Sequence, residues 1–181
     1  MRIITGKFKK TNLFSVSGNT TRPTTDFIKE AIFSTIFNCE NLLVLDLYAG
    51  SGSLGLEAIS RGAKFVDFIE FSEKAIQAII KNIQKLKCEE QSHIYRKKVS
   101  SFLKKTDKKY DLIFMDPPYD KNLVNKTIEL ILENSLLNES GKIVVEHSPQ
   151  EIIVDLIDEM TFFQKKYSDT IITIIEKDSE R

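Results

Sequence analysis

The run from Leu42 to Gly55 constrains this chain more than any other part of it. Leu42-Leu43-Val44-Leu45-Asp46-Leu47 is a short, almost continuous apolar run of the kind that forms a strand buried on both faces. It leads straight into Gly50, Gly52 and Gly55, three glycines within six residues, in a chain of 181 residues that has only 7. Proline is scarcer still, at 4, and Pro117 and Pro118 are adjacent. Glycine supplies backbone conformations closed to other residues, and proline fixes φ while removing a hydrogen-bond donor. Their concentration predicts two loops at which the backbone does something specific.

After Leu42 the pattern alternates between strands and helices. Strands are expected at Leu42 to Leu47, Phe65 to Ile69, His93 to Val99, Tyr110 to Met115 and Lys142 to Glu146. Between them lie helices at Leu54 to Ser60, from Ser72 as cap through Ile76, Ile79, Ile80, Ile83 and Leu86, and at Val124 to Asn134. Phe162 to Lys166 and Thr170 to Ile175 read as a terminal antiparallel hairpin. Such alternation predicts an α/β fold, a doubly wound, mostly parallel sheet with helices on both faces. Residues 1–16 read as a β-hairpin turning at Gly6, followed by a helix that Thr24 or Thr25 caps, with Ile28, Ala31, Ile32, Thr35 and Ile36 on its apolar face. Residues 1–38 are then an appendage of the same domain, and 39–181 its main part.

The chain is long enough for one domain with a full core. No run approaches 18 apolar residues and the N-terminus lacks the apolar stretch of an export signal, so a cytoplasmic protein without a membrane segment is expected. Cys39 and Cys88 are isolated thiols with no CxxC or His-rich context, which predicts reduced cysteines and no metal site. Lys plus Arg equals Asp plus Glu at 26 each, which excludes uniform attraction to a polyanion. The charge is nevertheless segregated. Residues 1–25 carry five bases and no acid, residues 81–109 ten bases and three acids, and residues 133–181 five bases and eleven acids. This layout fits a protein that meets a polyanion with its basic end.

Gly50-x-Gly52-x-x-Gly55 after a strand and before a helix is the pattern of a nucleotide-cofactor turn. Glu70 ends the next strand, 20 residues beyond Gly50, placed to accept from the 2′- and 3′-hydroxyls of a ribose. Asp46 opens the loop with a carboxylate expected to point into the crevice, where it would repel a pyrophosphate. It suits the cationic amino group of S-adenosylmethionine better than a nicotinamide dinucleotide. Asp46, Tyr48, Ala49, Gly50, Gly52, Gly55, Glu70 and Phe71 are therefore the candidate cofactor residues.

The second loop is Asp116-Pro117-Pro118-Tyr119, directly after the strand Asp111 to Met115. Ligands of open parallel sheets bind at the carboxyl ends of strands. Two prolines make a stiff segment whose carbonyls face a ligand. The Asp116 carboxylate and the Pro117 carbonyl match the two N–H bonds of an exocyclic amine, and Tyr119 offers a face for base stacking, worth about 1–3 kcal/mol. The candidate catalytic residues are Asp116, Pro117, Pro118 and Tyr119. His93 and His147 lack a catalytic partner pattern and read as structural.

On these residues the chain resembles the class I S-adenosylmethionine-dependent N-methyltransferases, and within them the RsmD family of bacterial 16S rRNA guanine-N2 methyltransferases. The likeness runs through RIITGKFKKTNL, TRPTTDFIKEAIF, VLDLYAGSGSLGLEAISRGA, FIE, DLIFMDPPY, VVEHS and KKYSDTIITII. The resemblance implies a seven-stranded Rossmann-like sheet whose last strand is antiparallel, and a 2-methylguanine product in small-subunit RNA. It departs where family members often carry Asp or Asn, in Arg96-Lys97-Lys98-Val99-Ser100-Ser101-Phe102-Leu103, which leaves backbone or Ser100 contacts for the adenine. Arg2, Lys7, Lys9, Lys10, Arg22, Thr24 and Thr25 are the candidate RNA contacts. The expected partner is 16S rRNA or an assembling 30S subunit, met by a monomer.

Other readings use the same residues. An adenine-N6 methyltransferase acting on RNA or DNA shares the chemistry, but DNA enzymes usually add a target-recognition region for which 181 residues leave little room. Protein glutamine methylation commonly uses Asn where Asp116 stands. A nicotinamide-dependent oxidoreductase would use the glycine loop but not Asp-Pro-Pro-Tyr.

Overall fold

A computed structural model describes residues 1–16, 26–36, 38–119, 122–153 and 160–177 of the chain. Arg22, Thr24 and Thr25 lie outside the described residues. The elements follow in the order α1 (Asp26–Ile36), β1 (Leu43–Leu47), α2 (Ser53–Ser60), β2 (Phe65–Glu70), α3 (Glu73–Leu86), β3 (Ser92–Arg96), α4 (Val99–Leu103), β4 (Tyr110–Met115), α5 (Leu123–Glu133), β5 (Leu137–His147), β6 (Met160–Tyr167) and β7 (Thr170–Lys177).

All seven strands join one sheet in the order β3-β2-β1-β4-β5-β7-β6. The first five run parallel, and β7 is antiparallel to both of its neighbours. The last strand in chain order is antiparallel, as the family resemblance implies, and it is inserted between β5 and β6. β1 is an inner strand between β2 and β4, with four of its five residues buried. Its alternate side chains feed two cores: Val44 joins Phe68, Leu112 and Phe114 on the side of α1, α2 and α3, while Leu45 and Leu47 join Ile113, Met115 and Ile128 on the side of α4 and α5. Among the described residues no helix is long and apolar enough to cross a membrane.

One strand boundary is corrected. The third strand ends at Arg96, not Val99; Val99, Phe102 and Leu103 are buried at helical spacing in α4. The N-terminal segment closes as a short antiparallel hairpin: Arg2 bridges Asn12, Ile3 N–H donates to the Thr11 carbonyl at 2.9 Å and Leu13 N–H to the Met1 carbonyl at 3.1 Å. Its turn lies on α2. Ile4 and Thr5 N–H donate to the Glu57 carboxylate at 2.7 and 3.0 Å, and Lys7 N–H donates to the Ser60 carbonyl at 2.8 Å. Gly6 makes this approach possible, with φ +86° and room for no side chain: a Cβ there would lie 1.8 Å from the Ser60 carbonyl oxygen.

Fully buried charges complete the join. Lys29 of α1 donates to the Arg2 carbonyl and lies 3.8 Å from Glu57, which also accepts from Arg61 at 2.8 Å. Ile3 and Leu13 sink into the same core as α1 and β1.

Candidate active site

Both unusual loops leave the same edge of the sheet. β1 and β4 are neighbours whose final rung pairs Leu47 with Met115. Tyr48-Ala49-Gly50 and Asp116-Pro117-Pro118 therefore emerge side by side, at the carboxyl ends where open parallel sheets bind ligands.

The first loop is a tight turn with three left-handed residues, Tyr48 (φ 57°), Gly50 (φ 56°) and Gly52 (φ 78°). Tyr48 is not glycine, and its conformation costs free energy that side-chain anchoring offsets. Its hydroxyl lies 2.8 Å from Thr127 Oγ1 on α5. Gly52 occupies the N-cap of α2. Gly55 does a different job: a Cβ there would meet the Phe68 ring at 2.4 Å, so its absence lets α2 lie against β2.

Glu70 ties this loop to the end of β2. Its carboxylate accepts from Gly50 N–H at 2.9 Å, Phe71 N–H at 2.7 Å and Ser72 N–H at 2.8 Å. A carboxylate offers about four acceptor positions, so one position remains for a ribose hydroxyl. Accepting the expected pair of hydroxyls requires Glu70 to release one backbone bond. Ser72 stands at the N-cap of α3, but its side chain makes no capping bond.

Asp46 is not where the sequence suggested. Its carboxylate is 2% exposed and accepts from Gly55 N–H at 2.9 Å, beneath the loop, instead of opening into the crevice. The first turn of α2 presents that N–H directly to the end of β1, and the carboxylate takes it. Burial, with a smaller contribution from Glu70, pushes the Asp46 pKa up to about 8, against the opposing effect of the Gly55 bond.

A cavity of about 560 Å³ opens at this edge, walled by Tyr48, Glu70, Phe71 and Ser100 together with Lys98, Lys126 and Thr127. Four expected cofactor residues thus share one wall. Gly50 is held against it by Glu70. Ala49, which donates to the Ile69 carbonyl at 3.2 Å, shapes the turn behind it. Phe71 is an exposed ring with the Lys98 ammonium 5.8 Å from its centroid.

In the second loop Pro117 is buried, Asp116 half-buried, and Pro118 and Tyr119 exposed at the surface. The Tyr119 hydroxyl lies 2.9 Å from Thr170 Oγ1, at the start of β7, and donates at 3.5 Å to Glu146, near the end of β5. Burial, with the carboxylates of Glu146, Asp116 and Asp169, pushes the Tyr119 phenol up to about 12, so it stays a donor at neutral pH. Thr170 in turn donates to the His147 carbonyl at 3.2 Å. His147 is buried, bridging Ser148 O and Thr173 Oγ1, and burial lowers its pKa, which fits its reading as structural.

Sequence reasoning missed Thr127, Glu146 and Thr170. Each meets its tyrosine across 27 to 79 residues of chain, and no local pattern marks such a pair.

The basic candidates near the N-terminus are spread over the surface. Arg2 pairs with Asp26 at 3.0 Å, and Lys7 donates to Gln91 at 2.6 Å. Lys9 and Lys10 are exposed.

A family model described as "Conserved hypothetical protein 95" matches residues 1–176. The Bacillus subtilis (strain 168) protein named "Putative rRNA methyltransferase YlbH" is 36% identical over 182 residues, covering 98% of this chain and 99% of its own. The Escherichia coli (strain K12) protein named "Ribosomal RNA small subunit methyltransferase D" is 34% identical over 147 residues, 81% of this chain and 74% of its own. Among solved structures, "Putative methyltransferase yhhF from Escherichia coli" superposes with a TM-score of 0.89 at 28% identity, covering 99% of both chains.

Proposed function

The chain belongs to the family described as Conserved hypothetical protein 95, the RsmD family, and from that membership we propose that it methylates 16S ribosomal RNA at the exocyclic N2 amine of a guanine, using S-adenosylmethionine. One observation carries the site assignment: the Leu47–Met115 rung sets the glycine loop and Asp-Pro-Pro-Tyr beside each other at one sheet edge. That juxtaposition suits a reaction between a nucleoside cofactor and a base amine.

The residues fit the cofactor. Glu70 keeps one acceptor position for a ribose hydroxyl while it holds Gly50 N–H, and Tyr48, Phe71 and Ser100 wall a cavity of about 560 Å³. Asp46 acts from below by holding Gly55 and the start of α2. When bound, the cofactor supplies an activated methyl group on a sulfonium.

The protein's own work is positioning. The Asp116 carboxylate and the Pro117 carbonyl accept the two N–H bonds of the amine, directing the nitrogen lone pair toward the methyl carbon. Methyl transfer from the bound cofactor would leave an extra proton on the nitrogen, and Asp116 is placed to accept it. Tyr119, fixed by its hydroxyl, supports the base. Every residue invoked comes from one copy, so a monomer suffices. An rRNA substrate places the reaction in the cytoplasm.

Radiolabelled methyl transfer to 30S subunits from cells lacking this protein tests the proposal. Asp116→Ala is expected to lower transfer at least ~100-fold while calorimetry shows cofactor binding retained. Mapping the product should find 2-methylguanine in 16S RNA; a methylated adenine would overturn the guanine assignment. Undiminished turnover in Asp116→Ala would remove Asp116 from the mechanism.

A further inference from the structure

The acceptor loop continues into a surface for which the proposed chemistry has no use. Phe27, in the first turn of α1, is 65% exposed, and its ring meets Tyr167 edge to face, with centroids 5.7 Å apart at 81°. Tyr167 ends β6, the outermost strand, and the Lys165 ammonium lies 5.4 Å from its ring centroid. Strand alternation puts Phe163 and Lys165 on the same face of β6 as Tyr167, and Phe163 is 53% exposed. Tyr167 packs against the core on the α1 side, so this face looks toward α1.

The patch is continuous with the active edge. Tyr167 pairs in register with Thr170, whose hydroxyl lies 2.9 Å from that of Tyr119. β6 runs in the same direction as β5, because both are antiparallel to β7, so Tyr167 stands at the carboxyl edge beside the acceptor loop.

We infer that Phe27 and Tyr167, with Lys165, form a stacking platform for the single-stranded RNA that flanks the target base. The inference rests on the RNA substrate proposed above. Single strands are bound by aromatic faces that stack unpaired bases and by cations that meet the phosphates. A base drawn into the Asp116 loop leaves its neighbour unstacked at this edge, and Phe27 offers an exposed apolar face against Tyr167, whose ring carries the Lys165 ammonium. Phe27 and Phe163 are exposed, Tyr167 is half-buried, and Lys165 lies on the same face of β6 as Phe163 and Tyr167, an arrangement matched to bases joined by phosphates.

Fluorescence anisotropy with a labelled single-stranded RNA of 16S sequence, beside methyl transfer to 30S subunits, tests this. Phe27→Ala and Tyr167→Ala should each weaken RNA binding at least ~5-fold, with Phe27→Tyr close to wild type. Cofactor affinity and melting temperature should be unchanged in Phe27→Ala, which keeps the test valid if Tyr167→Ala destabilises the hairpin. Lys165→Ala should flatten the salt dependence of binding, and Phe27→Ala should not. Unchanged RNA affinity in both aromatic variants overturns the platform. So does loss of 30S methylation at unchanged RNA affinity, which would assign the patch to a ribosomal protein. A wild-type protein that binds RNA through these residues but methylates no guanine would overturn the proposed reaction and leave the platform standing.

Discussion

Two aspartates stand at the carboxyl ends of neighbouring strands, Asp46 within β1 and Asp116 just after β4, and burial gives them different work. Asp116 is half-buried where a substrate can reach it, whereas Asp46 is sealed under the glycine loop with its pKa raised to about 8. An unfolded aspartate releases its proton near 4. The folded state holds the Asp46 proton to about pH 8, so this group's contribution is fully present below about 4 and is lost as pH rises toward 8. Asp46→Asn should therefore lose less stability than wild type between pH 5 and 8 in thermal melts; parallel curves would refute the buried acid. Thr170 gives a second prediction at this scale. Thr170→Val removes a hydrogen bond to Tyr119 worth about 0.5–1.5 kcal/mol and should lower kcat up to ~10-fold with little change in cofactor affinity. Thr170→Ser should restore it, and failure of that rescue would mean the methyl group matters and not the hydroxyl. The loops themselves were legible because glycine and proline are rare here and their backbone demands are local. The direction of Asp46 was not legible, because it depends on which backbone N–H the first turn of α2 brings to it.

Among the elements, α2 organises more of the molecule than its eight residues suggest. Its N-terminus shapes the cofactor turn, and its C-terminal half, through Glu57 and Ser60, receives the N-terminal segment. Glu57 is fully buried and accepts from two backbone N–H groups, from Arg61, and lies beside Lys29. Glu57→Gln leaves Lys29 buried without its counter-charge and should cost about 3–5 kcal/mol. Melting temperature should then fall by ~10 °C or more. Lys29→Met should be much milder, because Glu57 keeps Arg61 and both backbone donors; equal losses would show that the lysine, not the carboxylate, is the keystone. Periodicity revealed α1, α3 and α5 because each has an apolar stripe. It also found the N-terminal hairpin but not where its turn docks: the Ile4, Thr5 and Phe8 donors go to Glu57 and Ser60, more than 50 residues away.

At the scale of the whole molecule, the mostly parallel sheet followed from alternation and its antiparallel last strand from the resemblance, but the charge layout was too coarse a guide. The acidic third of the chain carries Lys165 and Lys166 on the exposed outer strand, and in the basic first 25 residues Arg2 is already paired with Asp26. RNA affinity should fall with salt, by a log–log slope of about 0.7 for each phosphate met by a single-strand contact. Lys9→Ala and Lys10→Ala should each reduce the slope by that amount if these exposed lysines touch phosphate; an unchanged slope would place the RNA elsewhere. The insertion of β7 between β5 and β6 also bears on timing. Thr170, which steadies Tyr119, is synthesised 51 residues after it. During translation the cofactor turn and the Asp-Pro-Pro-Tyr loop emerge long before the strand that holds that loop still. The two loops of the active edge are therefore finished in a fixed order: the glycine turn can form on the early strands, while Tyr119 waits for the closing hairpin to supply Thr170.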